Sequence, residues 1–278
     1  MATAVAPWHG SLQLTYATRD GRTQLARACA RAPLKVQRPF YPEGNAVCHS
    51  VTLHTAGGMA AGDRLWQTLH LHPGACALVT TATAGKVYRS NGEQARQTVD
   101  VRLGAGACLE WLPQETITFE GACYRQDVRV ELGPDAHWVG WDITRFGRSA
   151  RGERFCRGAW RSRLAVWRHG RPLWIDRQWL PGSEAAWASP HGLGGCPVVG
   201  SLVWLGAPVP AAVVAEAQAL PPPSDGEARI TVTPGRGVLC RYRGRSTGEA
   251  RRWLRTVWML LRRRQLHRPA VLPRVWPH

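Results

Sequence analysis

The sequence predicts a mainly β protein, built as a β-helical or solenoid-like stack of strands with a small helical element toward the C-terminus. Three observations support this fold class. Apolar and polar residues alternate over most of the chain, the alternation recurs in units of about thirty residues, and a helical periodicity replaces it near the end of the 278 residues.

Alternation identifies the individual strands. At 99–103 three apolar residues alternate with Asp100 and Arg102, and a similar segment at 128–132 alternates around Arg129 and Glu131. Because successive side chains of a strand point to opposite faces of a sheet, this pattern is typical of strands with one buried side and one solvent-facing side.

The strands belong to a larger repeat. The segments LHLHPGACALVTT, VDVRLGAGACLEW and VRVELGPDAHWVGW share one order: an alternating strand, a Gly or Asp turn, an alanine and a second apolar strand. The alanines are Ala75, Ala107 and Ala136, spaced 32 and 29 residues apart. Stacked β-coils have such a period because each unit buries its apolar side against the next, while an ordinary β-sandwich is the alternative.

The C-terminal part changes to helical spacing. Ser246 followed by Glu249 is typical of a helix start, and apolar residues then recur every three or four positions until Pro269. We therefore expect one domain over 1–278, with a β-rich part at 1–205, a helix and linker at 209–226, a β-hairpin at 229–243 and a C-terminal helix at 247–266.

The chain is strongly basic. Its net charge of +17 comes from 36 basic and 19 acidic residues, and all but two of the basic residues are arginines. This charge suits nucleic acid, an anionic membrane or an acidic protein surface. The arginines are scattered and the densest run is Arg262 to Arg264, which favours an acidic protein partner over nucleic acid.

Cysteines and hydropathy indicate a cytoplasmic protein without a membrane segment. The eight cysteines are never closer than fifteen positions, so no CxxC zinc clip exists and free thiols in a reducing compartment are expected. The stretch 185–215 has no charged residue, but four prolines and five glycines interrupt it. We interpret it as buried strand and turn.

A glycine loop at 54–65, HTAGGMAAGDRL, has part of the spacing of a phosphate-binding loop. Gly57 and Gly62 match that pattern, but Asp63 and Arg64 stand where lysine and a hydroxyl residue are required. A carboxylate there repels phosphate. The segment is therefore interpreted as a flexible turn that presents an acid.

Five acids lie among apolar residues or glycines, and each requires a partner. They are Asp63, Glu110, Asp142, Glu153 and Asp176. Burial of a carboxylate is unfavourable unless an arginine or a cation pairs with it, so internal ion pairs with arginines such as Arg64, Arg148 or Arg177 are one interpretation. No Ser-His-Asp order, HExxH helix or supported Cys–His pair accompanies them, so a catalytic site has little support in the sequence.

Six segments in order resemble the UreD (UreH) family of urease accessory proteins. They are QRPFYPEG at 37–44, HTAGGMAAGDRL at 54–65, TTATAGKVYRS at 80–90, LEWLPQETITFEGA at 109–122, GWDITRFGRSARGERF at 140–155 and LPRVW at 272–276. The resemblance implies a solenoid-like β fold without enzymatic activity. It also implies partners: UreF, the GTPase UreG and apo-urease, in a hetero-oligomer containing two copies of this chain, with no nucleic acid and no membrane.

The resemblance further implies a water-filled passage for nickel in transit, with no tightly bound cofactor. Asp63, Asp142 and Asp176 fall in the family motifs associated with polar passage residues and are the candidate transient nickel contacts. Family members commonly carry Glu at the positions of Asp142 and Asp176, and a further Gly at Ala61. The carboxylates of this chain therefore have a shorter reach.

Two other classes of function are alternatives. The charge alone is compatible with a basic nucleic-acid-binding β protein, which would show a steep salt dependence. His70 and His72, two apart on a strand, share a face and with the acids suggest a metal-dependent hydrolase. Exposed strand histidines explain the same pair without chemistry.

Overall fold

The computed structural model describes residues 7–276, which form two large β-sheets and a few helices. The strands are β1 (His9–Arg19), β2 (Arg22–Arg31), β3 (Leu34–Val36), β4 (Val47–His54), β5 (Arg64–Leu71), β6 (Cys76–Thr81), β7 (Gly85–Val87), β8 (Ala95–Leu103), β9 (Cys108–Trp111), β10 (Thr116–Thr118), β11 (Cys123–Leu132), β12 (His137–Phe146), β13 (Ala159–Arg168), β14 (Arg171–Pro181), β15 (Val198–Leu205), β16 (Gly226–Val232) and β17 (Val238–Gly244). The helices are α1 (Glu184–Ala188), α2 (Ala211–Gln218) and α3 (Thr247–Leu266), and Ser149–Arg151 forms a 3-10 turn.

The central part is a β-solenoid of about four turns, as the repeat predicts. In the first sheet β5, β8, β11 and β13 pair in parallel, and in the second sheet β4, β6, β9 and β12 do the same. Each turn contributes one strand to each sheet. The strand orders are β14-β13-β11-β8-β5-β1-β2 and β16-β17-β15-β12-β9-β6-β4-β3, so antiparallel strands close the ends of the stack. In the second sheet β10 also pairs with β12 and β7 pairs with β10.

The repeated alanines lie at equivalent places in successive turns. Ala75, Ala107 and Ala136 are fully buried, and the carbonyls of the first two accept hydrogen bonds from the residue after the next alanine, at 2.9 Å in both cases. The turn before each alanine has a positive φ, carried by Gly74, Gly106 and Asp135. Gly and Asp tolerate this conformation, which explains why those two residue types recur in the repeat.

Two apolar cores result from the alternation. Inward residues of both sheets, such as Leu69 and Val101 facing Val79 and Trp138, form the core between the sheets. A second core lies between the outer side of the second sheet and α3.

Helix α3 begins and packs as its sequence predicts. The Ser246 hydroxyl accepts a hydrogen bond from the Glu249 amide at the N-cap, and Trp253, Trp258 and Leu261 are buried against the sheet. Arg262, in the densest basic run, is also buried, whereas Arg263 and Arg264 are exposed.

One short helix, α1, overlaps the start of the stretch 185–215 and was not expected there. The β15 strand in this stretch is buried as predicted, and α2 lies within the helix and linker expected at 209–226. The β16–β17 hairpin is wider than 229–243. None of the helices in residues 7–276 has the length and hydrophobicity needed to cross a bilayer.

Candidate functional site

Polar side chains interrupt the apolar core between the two sheets and form a transverse layer. In the first sheet four inward positions lie side by side on neighbouring strands: Gln97, Gln126, Ser162 and Gln178. In the second sheet three positions are in register opposite them: Asp142, Ser201 and Arg241. The strand register therefore brings polar groups from seven strands into one layer.

Three cavities follow this layer from the interior to the surface. The first has a volume of about 330 Å³ and shares Gln126 and Asp142 with a narrow second cavity of about 40 Å³. The second shares Trp174 and Asp176 with an open depression of about 520 Å³. Asp142 and Asp176 thus stand at the two junctions, the places where neighbouring cavities share lining residues.

Asp142 is a partly buried acid with neutral hydrogen-bond partners. The Gln126 amide donates to its Oδ2 over 3.2 Å, and the nearby hydroxyls of Ser162 and Thr144 act to lower the pKa of the carboxyl. Burial, together with the nearby carboxylate of Asp176, raises the pKa of Asp142 to about 6. This carboxylate therefore exchanges protons close to neutral pH.

Asp176 is held by an arginine at the outer junction. Arg241 Nη2 lies 2.7 Å from Asp176 Oδ1, and the Gln178 amide donates to Oδ2 over 3.0 Å. The same guanidinium donates through Nη1 to the Ser201 hydroxyl. Arg241 therefore binds the carboxylate that a cation would otherwise contact at this end of the series.

Asp63 occupies a different environment from the other two acids. Its Oδ1 accepts a hydrogen bond from the Trp8 amide and its Oδ2 accepts one from the Ala60 amide, both at 2.7 Å. Gly57 and Gly62 have positive φ, so the loop does turn on them. The carboxylate is buried and lines none of the three cavities. Main-chain donors, rather than an arginine, satisfy it.

Two further polar residues of the first cavity were not identified from the sequence. His54 Nε2 and Gln67 Oε1 are buried and have no hydrogen-bond partner within the described residues. Burial lowers the pKa of His54 below its ordinary value, against the opposing effect of Asp63. The sequence does contain a signal for Gln67. This polar residue takes one of the inward positions of β5, which are otherwise leucines.

The remaining two isolated acids, Glu110 and Glu153, form ion pairs with arginines, which is one of the interpretations given for these acids from the sequence. Arg148 binds Glu153, and Arg262 binds Glu110 and Glu43. The second cluster lies between the second sheet and α3, away from the cavities, and also includes a 2.5 Å contact between His49 and Glu43. Its role is to attach α3 to the sheet.

The hydrolase alternative finds little geometric support. His70 and His72 stack on each other with ring centroids 4.7 Å apart. Within residues 7–276, no three His, Cys, Asp or Glu side chains converge closely enough to hold a metal ion. The eight cysteines are free, as predicted.

These features define a class: a β-solenoid protein with a polar layer through its core. The sequence model described as UreD urease accessory protein matches residues 9–277. The chain belongs to this family of urease accessory proteins.

Curated relatives cover nearly the whole chain. A protein of a Nostoc species, named urease accessory protein UreD, is 60% identical over 274 residues, which is 99% of this chain and 98% of the relative. Proteins of the same name from Trichormus variabilis and Nostoc punctiforme are 61% and 58% identical, and each alignment covers 97% of this chain and 96% of the relative.

Proposed function

We propose that this protein serves the maturation of urease by nickel insertion, as a scaffold that links UreF and the GTPase UreG to apo-urease and provides a passage for the metal. The observation that carries the proposal is the series of three cavities with Asp142 and Asp176 at its junctions. Nickel is the cargo, no tightly bound cofactor is involved, and the protein has no catalytic activity of its own. It acts in the cytoplasm, in a hetero-oligomer with two copies of this chain.

The chemistry of the cavities fits a divalent cation in transit. Imidazole nitrogen, amide oxygen and carboxylate oxygen are ligands that nickel accepts. His54 and Gln67 line the first cavity, and His54 Nε2 and Gln67 Oε1 have no hydrogen-bond partner in the described chain. Transit requires several weak contacts rather than one tight cage. Separated acids, one of them with a pKa of about 6, supply weak contacts that a proton or Arg241 can replace.

The test uses charge removal at the two junctions. The variant Asp142→Asn with Asp176→Asn is coexpressed with urease, UreF and UreG, and the nickel content of purified urease and the capture of UreF are measured. We expect urease to contain several-fold less nickel while UreF is still captured. Asp20→Asn is the matched control, because Asp20 is an exposed turn residue with φ of 50° that asparagine also adopts.

A rescue variant distinguishes a role of the two acids in nickel passage from a purely structural role. Asp142→Glu with Asp176→Glu keeps both charges and should restore most of the nickel. If the asparagine variant loads urease as well as the native protein does, the passage is wrong. If capture of UreF is lost together with nickel, the two acids are structural and the proposed role is equally contradicted.

A further inference from the structure

The outer side of the first sheet carries a row of arginines in register. Arg64 on β5 pairs with Arg96 on β8, Arg96 with Arg125 on β11, and Arg125 with Arg161 on β13, so that one arginine stands on each of four neighbouring strands. Neighbouring strands lie about 4.8 Å apart, so the row is about 14 Å long. Trp179 on β14 follows Arg161 at the end of the row.

These side chains point away from the core. Their direct neighbours in sequence, Leu65, Ala95, Tyr124 and Trp160, are buried between the sheets, and side chains alternate along a strand. A second outward row adds Arg163 and Arg177, which are paired on β13 and β14, with Asp127 on β11 opposite Arg163. We call the six residues Arg64, Arg96, Arg125, Arg161, Arg163 and Arg177 the arginine face.

The arginine face is poorly neutralised. Asp127 is the acid within it and binds Arg96 at 2.9 Å and Arg125 at 2.8 Å. The other four arginines have no ion pair among the described residues, and Arg163 Nε is buried without a partner. A groove of about 460 Å³ opens between Arg125, Arg161, Arg163 and Trp179.

The other half of the same surface is balanced. Toward the C-terminal ends of β8 and β11, Asp100 stands opposite Arg129, and Arg102 stands opposite Glu131. Like charges directly opposite each other on neighbouring strands destabilise a sheet. The row of arginines therefore lowers the stability of the free protein, whereas alternating positive and negative charges would not. Fold stability therefore does not explain the difference between the two halves.

Exposed tryptophans accompany the arginines. Trp179 is 63% exposed with Arg161 stacked beside its ring, and Trp66 on β5 is 54% exposed. Arginine and tryptophan are the residues most enriched where protein interfaces concentrate their binding energy. The combination of unpaired charge, a groove and exposed aromatic rings indicates a docking surface for another protein.

We propose that the arginine face binds a carboxylate-rich segment of a protein partner. The guanidinium fork matches a carboxylate with two parallel hydrogen bonds, and the tryptophans offer apolar contact beside it. Asp127 at the centre of the face repels a continuous phosphate backbone. Separate carboxylates can instead bind the arginines on either side of Asp127. The arginine face lies on the outer surface of the sheet, and its binding does not depend on the interior passage.

The test compares two double variants of equal charge change. Arg161→Gln with Arg163→Gln alters the arginine face, while Arg102→Gln with Arg129→Gln alters the balanced half. The probe is a fluorescent peptide of alternating glutamate and glycine, about twelve residues long, which spans about 40 Å when extended. Its binding to the full chain is followed by fluorescence anisotropy at low and high salt, with a thymidine oligonucleotide of similar length in parallel.

We expect the arginine-face variant to bind the peptide roughly fivefold more weakly and the balanced-half variant to bind it nearly as well as the native protein. Equal weakening by both variants, or no peptide binding by the native protein at low salt, overturns the proposal. Tighter binding of the oligonucleotide, lost in the arginine-face variant, assigns the face to nucleic acid and also overturns it. Thermal unfolding of both variants shows that they are folded.

Discussion

Glu110 and Arg262 lie 152 residues apart in the sequence and form a fully buried ion pair, with Arg262 Nε 3.1 Å from each carboxylate oxygen of Glu110. The Trp258 indole donates to the same carboxylate over 2.6 Å, and Arg262 also binds Glu43. One guanidinium on α3 thus satisfies two acids, one on β9 and one in the loop before β4.

The first prediction concerns this pair. Arg262→Met leaves two buried carboxylates without their cation, which should reduce the free energy of unfolding by about 3 to 5 kcal/mol. Urea unfolding measures the change, and Arg263→Met on the exposed side of α3 is the control. A difference between the two variants below about 1 kcal/mol would show that α3 is held by its apolar residues alone.

The second prediction concerns the proton on Asp142. Its pKa is raised to about 6, so the folded protein holds this proton more tightly than the unfolded chain, whose value is about 3.9. The group therefore favours folding below about pH 4, and that contribution is lost as the pH rises through about 6. Asp142→Asn, which stays neutral, should be more stable than the native protein by up to about 3 kcal/mol above pH 7.

Unfolding curves of the native protein and of Asp142→Asn, recorded across this pH range, test this prediction. The stability difference should shrink toward zero below about pH 4, where both side chains are neutral. A difference that does not change with pH would contradict the raised pKa.

The third prediction concerns Arg241 at the outer junction. Arg241→Gln frees the carboxylate of Asp176, so the purified protein should retain more nickel at equilibrium than the native protein does. Equilibrium dialysis with nickel measures this. Arg229→Gln is the matched control because Arg229 is exposed and stands opposite Arg241 on β16. Adding Asp176→Asn to the Arg241 variant should abolish the gain, and a gain that persists would place the metal elsewhere.

The fourth prediction concerns Asp63. Its two carboxylate oxygens accept main-chain hydrogen bonds, and Asp63→Asn replaces one acceptor with an NH₂ group that faces another donor. We expect a loss of about 1 to 3 kcal/mol in stability, since a buried donor is left unsatisfied. Native stability combined with reduced nickel loading of urease would instead support a direct contact of Asp63 with the metal.

The repeat and the helices could be predicted because their signals are local. The alternation in β8 and β11, the alanine spacing and the Ser246–Glu249 cap each depend on residues close in sequence, and those residues decide which side of a strand or helix is apolar. The short helix α1 escaped prediction. Its five residues are too few to show a helical period, and its N-cap at Ser183 carries the main local signal.

The sequence by itself determined the solenoid, its period, the C-terminal helix and the presence of isolated acids that need partners. The tertiary structure alone decided which partner each acid has. Strand register places Asp142 and Asp176 along one series of cavities, while the turn geometry of its loop gives Asp63 two main-chain donors instead. The physical reason is that a charge is neutralised by whatever group lies within a few ångströms of it, and in a stacked β fold that group usually comes from a distant part of the chain.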